Sequence, residues 1–179
     1  MTLPIRVAIV DDHQSIIDGY LFRLQNAEDI EVVGYNYYGE EIEPLLAEHE
    51  VDVLLLDAYI PTSANNPSPF PVLLLIPKLL EKYPQLHILI ISMHNRRKFI
   101  EYALEAGVSG YVIKDDYQTI ESLGAVVRSV AGGGVHISRQ AIQPLLDERL
   151  NDQLLTQRQL QALSLCIAYP NESMADFAK

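Results

Sequence analysis

Five polar side chains follow apolar runs, at points where a fold could bring them together. Asp57 directly follows the apolar run 53–56. Asp11 and Asp12 follow the run 5–10, Ser92 follows the run 86–91, and Lys114 follows the run 110–113. Three carboxylates gathered in one place repel one another, so they need Lys114 and a hard cation such as Mg²⁺, which prefers oxygen ligands. A carboxylate beside a divalent cation, a lysine and a hydroxyl suits phosphoryl transfer to that carboxylate.

The apolar runs predict a parallel sheet. Short continuous apolar segments are typical of strands buried on both faces, and segments with helical spacing of apolar residues separate them. The predicted strands are 5–10, 32–35, 51–57, 86–91 and 110–113, and the predicted helices are 15–27, 39–50, 72–83, 96–106 and 117–131. This alternation predicts an α/β fold with a doubly wound, five-stranded parallel sheet. The carboxyl ends of its strands would meet at one edge and gather the five polar residues there. Taken alone, Asp57 would be explained better as the cap of a turn.

Prolines interrupt the pattern in two places. Residues 59–71 contain four prolines in thirteen positions and cannot be helix or central strand throughout. Pro77 lies inside the predicted helix 72–83, where its ring would clash with the carbonyl four residues earlier. A kink or a later helix start is therefore expected.

The pattern changes after three consecutive glycines at 132–134. A linker helix is predicted next, followed by capping boxes at 156–159 and 173–176 with a turn between them. Two short capped helices joined by a turn are how a helix-turn-helix begins. The helix that would enter a DNA groove is expected beyond the end of this chain. The predicted division is a domain at 1–134, a linker helix at 135–153 and a truncated helix-turn-helix at 154–179.

The charge distribution bears on the partners. The chain of 179 residues has a net charge of −11, and residues 1–130 hold 19 acidic and 9 basic residues. An acidic domain repels nucleic acid, and no local basic patch offsets that repulsion, so this chain is not expected to bind DNA specifically. No stretch is long and apolar enough to span a membrane, and the start of the chain lacks a signal-peptide pattern. A cytoplasmic protein without membrane contact is therefore expected.

Residues 5–131 resemble the receiver domain of bacterial two-component response regulators. The resemblance rests on six residues in family order: Asp11, Asp12, Asp57, Ser92, Tyr111 and Lys114. It implies a flavodoxin-like fold with the strand order 2-1-3-4-5. It also implies that a sensor histidine kinase is the partner that supplies the phosphoryl group.

The resemblance assigns roles to the residues around the predicted phosphoacceptor, Asp57. Asp12 would bind Mg²⁺ directly and Asp11 mostly through water, and Asp57 and the main-chain carbonyl of Tyr59 would complete the metal site. The chain would catalyse no reaction beyond its own phosphorylation and dephosphorylation.

Three further residues would read out the modification. Ser92 and Lys114 would contact the phosphoryl oxygens, and Tyr111 matches the aromatic residue whose rotamer reports activation, so Ser92 and Tyr111 would form the switch. The opening of the tail, Leu-Thr-Gln-Arg-Gln at 155–159, resembles the start of a LuxR-type helix-turn-helix. Together the two parts resemble a NarL/LuxR-type regulator, a class that dimerises and binds DNA through its intact effector domain.

Two alternatives remain, and the first of them rests on a departure from the family. After Ile60 and Pro61, the loop lacks the usual glycines and is longer than the family pattern. A degenerate receiver that acts as an interaction module without phosphorylation would have such a loop. A phosphatase of the haloacid dehalogenase type also uses aspartates, a hydroxyl and a lysine, but its nucleophile motif is Asp-x-Asp, whereas Asp11 and Asp12 are adjacent.

Overall fold

The computed structural model describes residues 3–146. Eight strands and seven α-helices lie in this part of the chain. The strands are β1 (Ile5–Val10), β2 (Ile30–Asn36), β3 (Val53–Leu56), β4 (Pro61–Ser63), β5 (Asn66–Pro69), β6 (His87–Ser92), β7 (Gly110–Ile113) and β8 (His136–Ile137). The helices are α1 (Gln14–Leu24), α2 (Ile42–Glu48), α3 (Val72–Lys82), α4 (Arg97–Glu105), α5 (Tyr117–Glu121), α6 (Leu123–Ala131) and α7 (Arg139–Leu146). A 3₁₀ turn at Gly39–Glu41 precedes α2.

The predicted α/β class and strand order are confirmed. Six parallel strands form one sheet in the order β2-β1-β3-β6-β7-β8. The expectation of five strands is wrong, because the two-residue strand β8 extends the sheet along β7 through the pairs Gly110–His136 and Tyr111–Ile137. The central strands are apolar because helices cover both faces of the sheet.

The helices divide between the two faces, and each face has its own core. Helices α2, α3, α4 and α7 pack on one face, around side chains such as Ile42, Ile76 and Phe99. Helices α1, α5 and α6 cover the other face, around side chains such as Ile17 and Val127. This arrangement leaves the carboxyl edge of the sheet as the place where side chains from several strands can meet.

The strand register sets the spacing at that edge. Val10 of β1 pairs with Leu56 of β3, so the residues that follow, Asp11 and Asp57, leave the sheet side by side. The amide of Asp57 donates to the carbonyl of Val10 at 2.9 Å, which continues the ladder by one residue. On the other side of β3, the amide of Lys114 donates to the carbonyl of Ser92 at 2.9 Å.

The proline-rich segment forms a two-stranded antiparallel hairpin, β4–β5. At its base the amide of Phe70 donates to the carbonyl of Ile60 at 2.9 Å. Phe70 packs on the 3₁₀ turn, where a Cβ placed on Gly39 would lie 1.9 Å from the Phe70 ring. Glycine is therefore required at position 39. Prolines are tolerated in this hairpin because both of its strands are edge strands.

One helix prediction is confirmed in its start, and another needs correction. Helix α3 begins at Val72, as predicted, and contains Pro77, so of the two expected effects the later start does not occur and the kink stays a prediction. The single helix predicted at 117–131 is two helices that break at Ser122, whose hydroxyl bonds back to the carbonyls of Gln118 and Thr119.

Several predictions about the tail fall outside the described residues. They are the end of the linker helix after 146 and the helix-turn-helix at 154–179. The predicted limits of the three parts, 1–134, 135–153 and 154–179, stay predictions. Within 3–146, no helix is both long and apolar enough to cross a membrane.

Candidate functional site

A buried ion pair forms the centre of the carboxyl edge. The Nζ of Lys114 lies 2.7 Å from Oδ2 of Asp57 and 2.6 Å from Oδ2 of Asp11. These side chains are nearly closed to solvent, with exposed fractions of 9% for Lys114, 6% for Asp57 and 2% for Asp11. The structure thus brings together three residues that come from three different strand ends, as predicted.

The ionisation of Asp57 is strongly affected by this setting. Burial raises the pKa of the Asp57 carboxyl from 3.8 to about 6, against the opposing effect of Lys114, and the nearby Asp11 adds to the rise. Burial also favours neutral Lys114, but the Asp57 and Asp11 carboxylates outweigh it and raise the pKa of the ammonium group. The site therefore holds one cation against two carboxylates and has a deficit of positive charge.

The residues at the start of α1 fit a divalent cation. One ligand atom from each of Asp11, Asp12 and His13 can be chosen so that all lie within 4.8 Å of one another. Oδ1 of Asp12 is buried and lies 2.8 Å from Nδ1 of His13. The amide of His13 donates to Oδ1 of Asp11 at 3.0 Å, which holds that carboxylate in place. Hard oxygen donors with unbalanced negative charge are what Mg²⁺ requires.

The loop after β3 is bound to Asp57. The amide of Tyr59 donates to Oδ1 of Asp57 at 3.1 Å. The predicted role of the Tyr59 carbonyl as a metal ligand stays a prediction.

Ser92 and Tyr111 both bond to His94, in the loop after β6. Ser92 is fully buried, and its Oγ accepts a hydrogen bond from the amide of His94 at 3.2 Å. Tyr111 is also fully buried, and its hydroxyl donates to the carbonyl of His94 at 2.8 Å. Burial raises the pKa of Tyr111, while the Ser92 hydroxyl acts in the opposite direction. Ser92 and Tyr111 are thus held by the same residue, His94.

A row of four rings joins the loop after β3 to Tyr111. The centroids of Tyr59 and His94 are 6.3 Å apart, those of His94 and Phe99 are 5.9 Å apart, and those of Phe99 and Tyr111 are 6.3 Å apart. Burial, with Arg96 and Lys114 adding to the effect, lowers the pKa of the His94 imidazole. His94 is therefore a neutral ring at pH 7 and can pack between its aromatic neighbours.

Sequence reasoning missed two groups near the site. His13 directly follows the acidic pair, and three consecutive residues with ligand atoms were a signal that could have revealed it. Tyr20 of α1 is buried, and burial together with the charges of Asp11 and Asp57 raises its pKa. No motif marked Tyr20, because in the sequence it is one apolar position in a helical pattern.

One family model matches about two thirds of the chain. The model of the response regulator receiver domain matches residues 7–123. The oxygen regulatory protein NreC of Staphylococcus epidermidis is 28% identical over an alignment of 185 residues, which covers 96% of this chain and 81% of NreC. The transcriptional regulatory protein DegU of Brevibacillus brevis is 28% identical over 144 residues, which cover 80% of this chain and 57% of DegU.

Solved structures agree with the fold. The isolated receiver domain of RcsB from Salmonella enterica, in the presence of the phosphomimetic BeF₃⁻, has a TM-score of 0.68 at 21% identity and covers 79% of this chain and 99% of its own. RcsB bound to a promoter, again with BeF₃⁻, has a TM-score of 0.71 at 22% identity and covers 90% of this chain and 76% of its own. A LuxR-family response regulator from an Aurantimonas species has a TM-score of 0.69 at 24% identity and covers 83% of this chain and 99% of its own.

The family match, the relatives and the acidic residues around Asp57 therefore all indicate the same protein family. The chain belongs to the response regulator receiver family, and its homologues are response regulators of the NarL/LuxR type.

Proposed function

We propose that this receiver accepts a phosphoryl group on Asp57 from the phosphohistidine of a sensor histidine kinase. The observation that carries the proposal is the buried pair of Asp57 and Lys114, 2.7 Å apart at the carboxyl edge of the sheet. A structural ion pair alone would not need the further carboxylates of Asp11 and Asp12 beside it, because they add repulsion.

In the proposed step, a carboxylate oxygen of Asp57 forms a bond to phosphorus while the bond from phosphorus to the histidine nitrogen breaks. The electron pair of the broken bond stays with the imidazole of the kinase, and no oxidant or reductant takes part. Lys114 is already at the reacting carboxylate and carries the charge that balances the phosphoryl oxygens. The hydroxyl of Ser92 accepts from the amide of His94, and a hydroxyl that accepts a bond can also donate its proton, here to a phosphoryl oxygen.

Asp11, Asp12 and Asp57, with the main-chain carbonyl of Tyr59, are the residues proposed to hold Mg²⁺. When bound, the ion neutralises negative charge on the phosphoryl oxygens. His13 is within reach of the same site and orients Asp12 through their 2.8 Å contact.

Ser92 and Tyr111 are proposed to report the modification. When the Ser92 hydroxyl turns towards a phosphoryl group, its bond to the His94 amide changes. The carbonyl of His94 holds the Tyr111 hydroxyl at 2.8 Å, so a shift in this loop reaches Tyr111 directly. The buried position of the Tyr111 ring supports a switch with two discrete states, because a packed core does not deform continuously.

The output proposed for this receiver joined to a LuxR-type effector domain is DNA binding as a homodimer in the cytoplasm. Support comes from RcsB, which has been solved as dimers bound to DNA. Paired half-sites on DNA match the twofold symmetry of a dimer.

Acetyl phosphate and Mg²⁺ provide the test, with intact mass as the readout. The wild type is expected to gain the mass of one phosphoryl group, and Asp57→Asn is expected to gain none. Asp115→Asn, at an exposed position next to Lys114, is the matched control and should still be modified. An adduct of undiminished yield in Asp57→Asn would overturn the assignment.

A second outcome of this test concerns the hairpin β4–β5, which replaces the usual phosphoacceptor loop. If neither acetyl phosphate nor BeF₃⁻ binds to the wild type in the presence of Mg²⁺, the chain is an interaction module that works without phosphorylation. The hairpin is the observation that favours this alternative, since it changes the approach to Asp57.

A further inference from the structure

Ser138 fastens the start of α7 to the strand that carries Tyr111. Its amide donates to the carbonyl of Tyr111 at 2.9 Å, and its Oγ accepts from the amide of Ile113 at 3.2 Å. Only 1% of Ser138 is exposed. One serine therefore bonds to the main chain on both sides of residue 112, at positions three and one before Lys114.

Helix α7 begins directly at this anchor. The carbonyl of Ser138 accepts from the amides of Ala141 and Ile142 at 2.9 and 3.1 Å, which makes Ser138 the residue that starts the helix. The side chain of Gln140 donates to the carbonyl of Asp115 at 3.3 Å, on the far side of Lys114. The position of α7 is thus set by main-chain groups on both sides of Lys114.

The same helix packs against α4. Ala141 is fully buried and belongs to one core cluster with Tyr111 and with Phe99, Ile100 and Ala103 of α4. Phe99 contacts both the Tyr111 ring and the His94 ring. Tyr111 is consequently held from two directions, by the loop after β6 through its hydroxyl and by Ser138 through its carbonyl.

We propose that Ser138 and α7 form a coupling element that responds to the state of Tyr111 and passes it to the residues after Leu146. If the Tyr111 ring leaves its place, the core shared by α4 and α7 loses a large side chain, and the neighbours close such a gap only in part. Ser138 keeps the start of α7 on β7, so the helix cannot move away as a whole. The packing of the rest of α7 against α4 must therefore change. Ser138 acts here as a positioning residue, and only the stimulus at Asp57 rests on the function proposed above.

Hydrogen exchange of the full chain, followed by mass spectrometry, tests the coupling without any phosphorylation. Ser138→Ala should speed exchange about fivefold in α7 and also in residues 93–99, which include the His94 carbonyl that holds the Tyr111 hydroxyl. Tyr111→Phe, which removes the hydroxyl and its bond to the His94 carbonyl, should speed exchange in the same two segments. Ser138→Thr keeps the hydroxyl and should restore protection.

Two controls make the result decisive. Ser15→Ala, at an exposed position on the opposite face of the sheet, should leave both segments unchanged. The amides of β3 report global unfolding, and their exchange should stay as in the wild type. If Ser138→Ala affects α7 alone and Tyr111→Phe leaves α7 unchanged, Ser138 is only a local helix cap and the proposal is overturned. A uniform increase that includes β3 overturns it as well.

A second arm separates this inference from the proposed function. Mg²⁺ and BeF₃⁻ are added, and fluorine NMR reports whether the fluoride binds. Binding that alters exchange in α7 of the wild type but not of Ser138→Ala supports the coupling. Binding that leaves α7 unchanged in the wild type overturns the coupling, while the function at Asp57 stands. If BeF₃⁻ does not bind, the function proposed at Asp57 is overturned. The coupling is then decided by hydrogen exchange of Ser138→Ala and Tyr111→Phe alone.

Discussion

Replacing Asp57 by asparagine should stabilise the metal-free protein at pH 8. The carboxyl of Asp57 is buried, and its pKa is raised from 3.8 to about 6. Ionised Asp57 is therefore costly in the folded state, and asparagine has the shape of the protonated acid without its charge. Lys114 keeps a partner in the variant, because Asp11 lies 2.6 Å from its Nζ.

The size and sign of the effect follow from the two pKa values. The folded chain retains the Asp57 proton up to about pH 6, whereas the unfolded chain releases it near pH 4. The contribution of Asp57 to the free energy of unfolding is thus most favourable below pH 4, falls as the pH rises to 6 and is constant above that. A shift of about two units at about 1.4 kcal/mol each amounts to about 3 kcal/mol. For a domain of this size, Asp57→Asn should raise Tm by roughly 9 °C at pH 8.

Thermal unfolding in EDTA, measured from pH 4 to pH 8, provides the assay. The difference between Asp57→Asn and the wild type should be near zero at pH 4 and reach its maximum above pH 6. Mg²⁺ should shrink the difference, because a bound cation favours the ionised carboxylate. Asp18→Asn, at an exposed position on α1, is the control and should show no such trend. A difference that does not vary with pH, or a variant less stable at pH 8, would refute the reasoning.

Three other predictions follow from contacts described above. Tyr59→Ala and His94→Ala should both speed loss of the phosphoryl group, because the two rings, with centroids 6.3 Å apart, would screen it from water. Slower dephosphorylation of His94→Ala would instead make His94 a catalytic helper. Gly39→Ala should cost about 1–3 kcal/mol of unfolding free energy through overlap with Phe70, and chemical denaturation should show that Phe70→Ala added to it removes most of the additional cost. Phe22→Glu should prevent dimerisation of the phosphorylated protein if α1 lies in the dimer face, because Phe22 is 67% exposed there; unchanged sedimentation would place the face elsewhere.

The fold and the meeting of the acidic residues could be predicted because both depend on strong local signals. Apolar runs as pronounced as 53–56 define buried strands, and in a parallel sheet their polar successors must share one edge. Asp11, Asp57 and Lys114 meet for that reason. The family pattern then supplied roles that spacing alone could not supply.

The parts that escaped prediction depend on tertiary contacts. Strand β8 has only two residues and no alternation, so it exists because β7 offers an open edge and Ser138 bonds to it. The break at Ser122 was hidden because apolar spacing continues across it, while its hydroxyl competes for helix carbonyls. The contact between Tyr111 and the His94 carbonyl joins residues 17 positions apart and leaves no pattern in the sequence.

The base of the hairpin has a consequence for the flexibility of the loop after β3. The hydrogen bond between the Phe70 amide and the Ile60 carbonyl closes residues 61–69 into a hairpin that branches off the loop. The path from Asp57 to α3 that remains is a few residues long, so the extra length adds little chain entropy to the segment that carries Tyr59. Extra residues inserted at the exposed tip, at Ala64 to Asn66, would extend only the branch, which makes this tip a natural position for a fluorescent label or an affinity tag.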